Sequence, residues 1–552
     1  MSKEKLKQAQ QEAAEIDFSG LSLEQAKELL LTLSELEYEQ VRKKAAKALG
    51  VRVTALDKEV KGDSGGSDSI ADELVQVVNE KVTLFHDPDR KAYASFEHDG
   101  HIETWQIDST GFREYASHLF YDHAGKAPSE ASLSAAFQTL SGIAKYEGSE
   151  WTVYLRCATY KDGYVIDLCN ESWAVVQVTP RGWQVLEESP VKFYRTDNMR
   201  PLPDPVKTGD ISKLWRYVNV LEEDRGFILA WILECYREDT HFTIAELMSA
   251  QGGAKSFSQS CLRNLIDPNA VNLRVSPKVT TDVYVGANNN WLASWNNVSH
   301  LSSGQQDAMC SLATGGGFAA RTLYTNTDET VVDVKRPVIM NGISTLATAQ
   351  DLVDRILHFD LPPIKKYIAE AELVEQFNND APEIFTGILD LFSKTLSKLG
   401  SRKIENLPRM GDFAKLGEAM YEALDYPASF TEEYTTRRQQ AAVLALESSP
   451  VAQAVMTFME NRAAGYPNGL VSELLSKLET YRTPGEAWPK SPRGLGDALR
   501  RHAIGLKTAG INVKFDPTRH KDGRYVSLQK IHTPEKDKTS EKQHTLHTPH
   551  TP

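Results

Sequence analysis

Six consecutive residues, Gln251-Gly252-Gly253-Ala254-Lys255-Ser256, carry the spacing best suited to chemistry in this chain. A glycine-rich turn that opens a helix gathers backbone N–H groups around phosphates, a following Lys neutralises their charge, and a Ser or Thr hydroxyl holds Mg2+. By that logic Gln251, Gly252, Gly253 and Ala254 form the cradle, Lys255 is the cation and Ser256 the metal ligand, with ATP and Mg2+ as the expected cofactors. The pattern G-x-x-x-x-G-K-[ST] is met only in its last two letters, because Ser249 and Ala254 stand where it asks for glycine. On these letters alone, a glycine-rich turn before an ordinary helix is an equal reading.

The flanks supply the elements such a loop needs. Phe242-Thr-Ile-Ala-Glu-Leu-Met248 reads as an apolar strand, and Phe257 to Leu265 continues as a helix. Residues 207–445 as a whole alternate helices with apolar strands, the signature of an α/β domain. Further segments lie downstream: Leu265-Ile-Asp-Pro-Asn269, Trp291-Leu-Ala-Ser-Trp-Asn-Asn-Val-Ser299, Leu312-Ala-Thr-Gly-Gly-Gly-Phe-Ala-Ala-Arg321, Arg336-Pro-Val-Ile-Met-Asn-Gly-Ile343 and Asp351-Leu-Val-Asp-Arg355. Together with the glycine-rich turn they make residues 210–365 resemble the prophage and mobile-element ATPases related to superfamily-three and poxvirus-type primase-helicases.

That resemblance implies roles for particular residues. In such helicases a second strand ends in acids that hold Mg2+ and polarise the attacking water, and the matching strand here ends in Asn296 and Asn297. An amide hydrogen-bonds a Mg2+-bound water but brings no negative charge and accepts a proton poorly, so an acid elsewhere, Asp282 or Asp307, would have to compensate. Asn341, at the end of Pro337-Val-Ile-Met-Asn341, takes the sensor place, or caps its strand. Arg355 takes the place of the arginine finger that completes a neighbouring subunit's site, or pairs with Asp354 on a helix surface. A hairpin from Arg321 to Asp333 corresponds to the DNA-gripping hairpin of these rings. Its tip lacks Lys or Arg, which leaves Arg321 and Tyr324 for charge and stacking, or a purely structural hairpin.

The bulk numbers bound these readings. A chain of 552 residues exceeds one ordinary core, and 41% hydrophobic with 25% charged residues is the composition of folded globular protein. A net charge of −13 excludes a nucleic-acid surface spread evenly over the molecule, so contact with DNA requires a local basic patch. The five cysteines are widely spaced, without CxxC, and read as reduced thiols. With no apolar leader or membrane-length apolar run, the expectation is a cytoplasmic protein without a membrane partner.

Such a patch lies near the C-terminus. A helix over 470–478, a turn at Trp488-Pro-Lys-Ser-Pro-Arg493, a helix over 495–506 and two strands, Ile511 to Phe515 and Tyr525 to Leu528, follow the order of a winged helix. Arg493, Arg500, Arg501, Lys507, Arg519, Lys521 and Arg524 are its DNA-binding candidates, set against a solvated basic face that docks protein.

The expected architecture is therefore multidomain α/β, a P-loop AAA+-like core with accessory units. Its parts are an N-terminal helical segment 1–61, a Gly/Ser linker 62–79, an α+β module 80–205 closed by a Pro-rich stretch, the ATPase domain 207–445, a winged helix 450–531 and a disordered tail 532–552. The expected function is an ATP-dependent DNA helicase or translocase of a phage or mobile element, acting in DNA replication as a homo-oligomer, a hexamer by resemblance. It would hold single-stranded DNA in the ring and duplex at the winged helix. A hydrolysis-deficient nucleotide-binding ring serving as scaffold, loader or regulator is the rival. A primase-helicase using residues 80–205 is a third reading, and it lacks a paired-carboxylate motif.

Overall fold

A computed structural model describes residues 16–60, 69–249, 252–321, 329–364, 367–400, 404–447, 449–460, 462, 465–482, 488–518 and 520–531. The chain divides into two compact units, one of Met1–Phe96 with Trp105–Glu150, the other of Glu97–Thr104 with Trp151–Pro552.

The first unit begins with helices Leu23–Leu31, Glu35–Ala48 and Val53–Val60, closed over Phe18, Leu30, Tyr38, Val41 and Leu56. The next helix, Ile70–Lys81, starts inside the stretch expected as a linker; the earlier part of that stretch lies outside the described residues. It forms because Ser69 and Asp72 cap each other's backbone N–H groups, and because Leu74 and Val78 are buried on one face. Thr83–His86 (β1), Ala92–His98 (β2), His101–Gln106 (β3) and Ser149–Glu150 (β4) make a sheet of order β3-β2-β1-β4, packed with helices Thr110–Ala124 and Glu130–Tyr146.

In the second unit Val153–Tyr154 (β5) pairs with Lys192–Phe193 (β10), and Cys157–Tyr160 (β6), Gly163–Asp167 (β7), Val175–Thr179 (β8) and Gly182–Leu186 (β9) form an antiparallel meander. One core runs from Leu155 to Tyr434, so packing crosses the Pro-rich stretch where a boundary was expected. Leu202 is buried there and its N–H donates to Leu168 O at 2.9 Å, which seats the extended chain against the meander. Fully buried Arg156 meets Asp267 at 3.0 Å, and Asp267 also accepts from Leu292 N.

A parallel sheet of order β12-β13-β16-β11-β17 forms the centre: Ile244–Met248 (β11), Arg274–Val275 (β12), Ala293–Val298 (β13), Val338–Gly342 (β16) and Ile356–Asp360 (β17). β11 and β16 are buried at every position, as strands covered on both faces must be, and they are apolar except at Glu246, which bonds Leu346 N and His358, and at Asn341. Gly317–Arg321 (β14) pairs antiparallel with Glu329–Asp333 (β15), so the hairpin expected from Arg321 to Asp333 has its first strand earlier, ending at Arg321; residues 322–328 lie outside the described residues. Helix Arg225–Cys235 is buried from Phe227 to Cys235, and helices Glu370–Lys398 and Gly411–Ala423 complete the same core.

The C-terminal part contains helices Pro450–Glu460, Val471–Leu478 and Pro492–Thr508 with an antiparallel sheet of order β18-β20-β19: Tyr466–Leu470 (β18), Ile511–Phe515 (β19) and Tyr525–Lys530 (β20). Helix Phe430–Glu447 serves both regions: Ala441, Ala442 and Ala445 pack into the parallel-sheet core and Leu446 into the C-terminal core. Helix Pro492–Thr508 crosses it in close contact, because a Cβ on Gly505 would stand 2.9 Å from Ala442 O.

Candidate functional site

The glycine-rich turn joins the carboxyl end of β11 to helix Lys255–Ile266, and β11 lies between β16 and β17. In open parallel sheets ligands bind outside the carboxyl ends of the strands, so the turn stands at the edge where a ligand is expected. Two of its residues hold left-handed conformations, and only one of them is a glycine. Gly252 has φ +87°, but the second such residue is Ala254, with φ 54° and ψ 28°. Gly253 answers a different need, since a Cβ there would lie 1.8 Å from Ser249 Oγ. Gln251 lies outside the described residues.

Lys255 begins the helix and is buried. Its Nζ donates to Ser249 O at 2.8 Å, and burial holds its ammonium below the ordinary lysine range. The first N–H groups of the helix lack intrahelical acceptors and carry its positive dipole end, the arrangement that favours an anion.

Ser256 starts a run of amide contacts across the strand ends. Its Oγ donates to Asn296 Oδ1 at 2.7 Å. Asn341 Nδ2 donates to the same oxygen at 2.7 Å and to Gln259 Oε1 at 2.6 Å, while Asn341 Oδ1 accepts from Asn297 N at 2.9 Å. Asn297 is exposed with φ 52°, at a register irregularity between Trp295 and Val298. Ser256, Asn296, Asn297 and Asn341 therefore meet at one place. Sequence reasoning missed Gln259 and also Asn219, whose Nδ2 bridges Gly253 O at 3.2 Å and Pro362 O at 2.7 Å. Gln259 could have been found from its place one turn beyond Ser256 on the same helix face, but nothing local marks Asn219.

The remaining candidates lie elsewhere. Arg355 precedes β17 and its carbonyl accepts from Ile244 N, which puts it at the amino end of the sheet, opposite the turn. It is buried and pairs with Asp351 at 2.7 Å rather than with Asp354, which takes Arg438 at 2.9 Å. Asp282 caps its own helix by accepting from Lys278 N and Val279 N, and Asp307 sits within helix Ser303–Thr314. Arg321 ends β14 with its side chain outside the description, and Tyr324 and Arg519 lie outside the described residues. Among the described residues no group of three His, Cys, Asp or Glu side chains is placed to hold a metal, and no single helix is long and apolar enough to cross a membrane.

At the C-terminal sheet the basic candidates are exposed: Arg493, Arg500, Arg501, Lys507, Lys521 and Arg524. Arg493, Arg500 and Arg524 line one cleft with Asp497 and Asp522 between helix Pro492–Thr508, the start of helix Val471–Leu478 and the β19–β20 connection.

This is a multidomain mixed α/β protein with a parallel central sheet. Residues 211–432 match the model of the family described as actinomycete integrative conjugative element replication protein, and residues 451–542 match that of the AICE RepA C-terminal domain. Over these two segments the chain belongs to this family of mobile-element replication proteins. Two solved structures of the NrS-1 C-terminal region are similar to it. One is 11% identical, covering 83% of this chain and 99% of that chain with a TM-score of 0.36; another is 12% identical, covering 84% and 100% with a TM-score of 0.35. No curated protein matches.

Proposed function

We propose that the chain binds ATP with Mg2+ at the turn between β11 and helix Lys255–Ile266, and that it works as an oligomeric helicase or translocase on the element's DNA, held by a C-terminal winged helix. The observation that carries this reading is the convergence of Ser256, Asn296 and Asn341 at the carboxyl ends of adjacent parallel strands, next in the chain to the buried Lys255. Phosphates would take the N–H groups of the turn, with Lys255 released from Ser249 O to meet them. Mg2+ binds nucleotides through few protein ligands, and Ser256 with phosphate oxygens and water fits that habit. Arg355 can act on a neighbouring subunit only after leaving Asp351.

The rival is a ring that binds nucleotide without turnover, and a specific observation favours it: Asn296 and Asn297 stand where the resemblance calls for acids. Mg2+-dependent ATP hydrolysis, measured with and without single-stranded DNA beside a native mass, separates the two. DNA-stimulated turnover by an oligomer, lost in Lys255→Ala, supports the motor. Tight ATP binding without turnover supports the scaffold, and no ATP binding by the wild type removes both.

A further inference from the structure

On the basic surface of the C-terminal part, three contacts position the guanidinium of Arg500. Arg500 Nη1 lies 2.8 Å from Asp497 Oδ1, and its Cζ stands 4.6 Å from the centre of the Phe515 ring. Its two terminal nitrogens rest over Gly496, at 3.7 and 3.8 Å from where a Cβ would be. A carboxylate, an aromatic ring and a bare stretch of helix backbone thus position one planar fork, with 41% of the side chain still exposed at the cleft.

A phosphate contact does not need this arrangement, because a point charge on a flexible stem is sufficient. A base contact does need it. Guanine presents O6 and N7 side by side in the major groove, and a guanidinium reads them with two parallel N–H donors. Pre-fixing the fork removes the side-chain ordering that would otherwise oppose binding. The helix that carries Arg500 also exposes Arg493, and Arg524 approaches from the β19–β20 connection, so cations surround the fork from two elements.

We infer that Arg500 is the guanine-reading residue of this surface and that Asp497 is its positioning residue. This rests on the DNA-binding reading above and names the base contact within it. Asp497 opposes phosphate by its charge, and its place inside a basic cleft is accounted for by holding Arg500.

The test uses the full chain and two duplexes of about 20 base pairs made of G·C pairs, identical except that one carries 7-deazaguanine, which pairs normally but lacks the N7 acceptor. Wild-type protein should bind the 7-deaza duplex about tenfold more weakly. Arg500→Ala, which removes the fork, should bind both more weakly and without a difference between them. Asp497→Asn should raise affinity for both duplexes while shrinking the difference between them, a split that loss of folding does not produce; thermal melting verifies that each variant is folded. Equal wild-type affinities, or a difference that persists in Arg500→Ala, overturn the inference and leave the DNA-binding reading standing. Absence of duplex binding by the folded wild type overturns both.

Discussion

The hydroxyl of Ser256 donates to the amide oxygen of Asn296 over 2.7 Å, so the start of helix Lys255–Ile266 and the end of β13 are tied together at the carboxyl edge of the sheet. Asn341 donates to that same oxygen. Two donors thus converge on one acceptor, as they would on a carboxylate.

Replacing that amide with Asn296→Asp places a charge where two hydrogen bonds stand ready to stabilise it. Mg2+-dependent ATP turnover should rise by about tenfold or more, since phosphoryl transfer responds to positioned charge. Steady-state phosphate release measures it, and an unchanged rate would remove Asn296 from the metal's surroundings.

Ala254 holds a left-handed conformation that a Cβ makes costly by about 1 kcal/mol. Ala254→Gly should therefore stabilise the parallel-sheet region by roughly 1 kcal/mol without weakening nucleotide binding. A shift of the urea midpoint to higher concentration is the expected readout; a lower midpoint would show that the turn does not carry this strain.

Asp267→Ala leaves the fully buried Arg156 charge without its partner. A loss of roughly 3–5 kcal/mol is expected, with much of it recovered when Arg156→Met is added. Thermal denaturation of the single and double variants gives the comparison, and equal losses in both would locate the cost elsewhere.

His502 is half-buried, with Nε2 2.9 Å from Ser449 Oγ, and burial pushes its imidazole down to about 4. Folding therefore favours the neutral ring. The stabilisation is fully present above the unfolded value of 6.5 and is lost as pH falls from there through about 4. Melting of the C-terminal unit followed from pH 7 to pH 4 should decline by up to ~3 kcal/mol, and His502→Gln should flatten that dependence.

The apolar residues of β11 and β16 mark their strands, because burial on both faces admits a polar side chain only where it finds partners, as Glu246 and Asn341 do. β18 escaped notice because Pro467 and Gly469 argue against a strand in a local reading, and both are tolerated where it lies at the sheet edge. The Arg355–Asp351 pair is legible at four-residue spacing, but the adjacent Asp354 offers an equally local partner and sequence does not separate the two. Strand order, the left-handed Ala254 and the bridge made by Asn219 depend on residues far apart in the chain, and no local pattern encodes them.

Helix Phe430–Glu447 is anchored at its middle and toward its carboxyl end. Arg437 holds His358 O of β17 at 2.8 Å and Arg438 holds Asp354, while Leu446 belongs to the C-terminal core and Ala442 O meets the helix that carries Arg500. A stiff rod fixed in this way does not absorb displacement; it passes displacement on. The parallel sheet and the basic cleft therefore share a common axle instead of a loose tether.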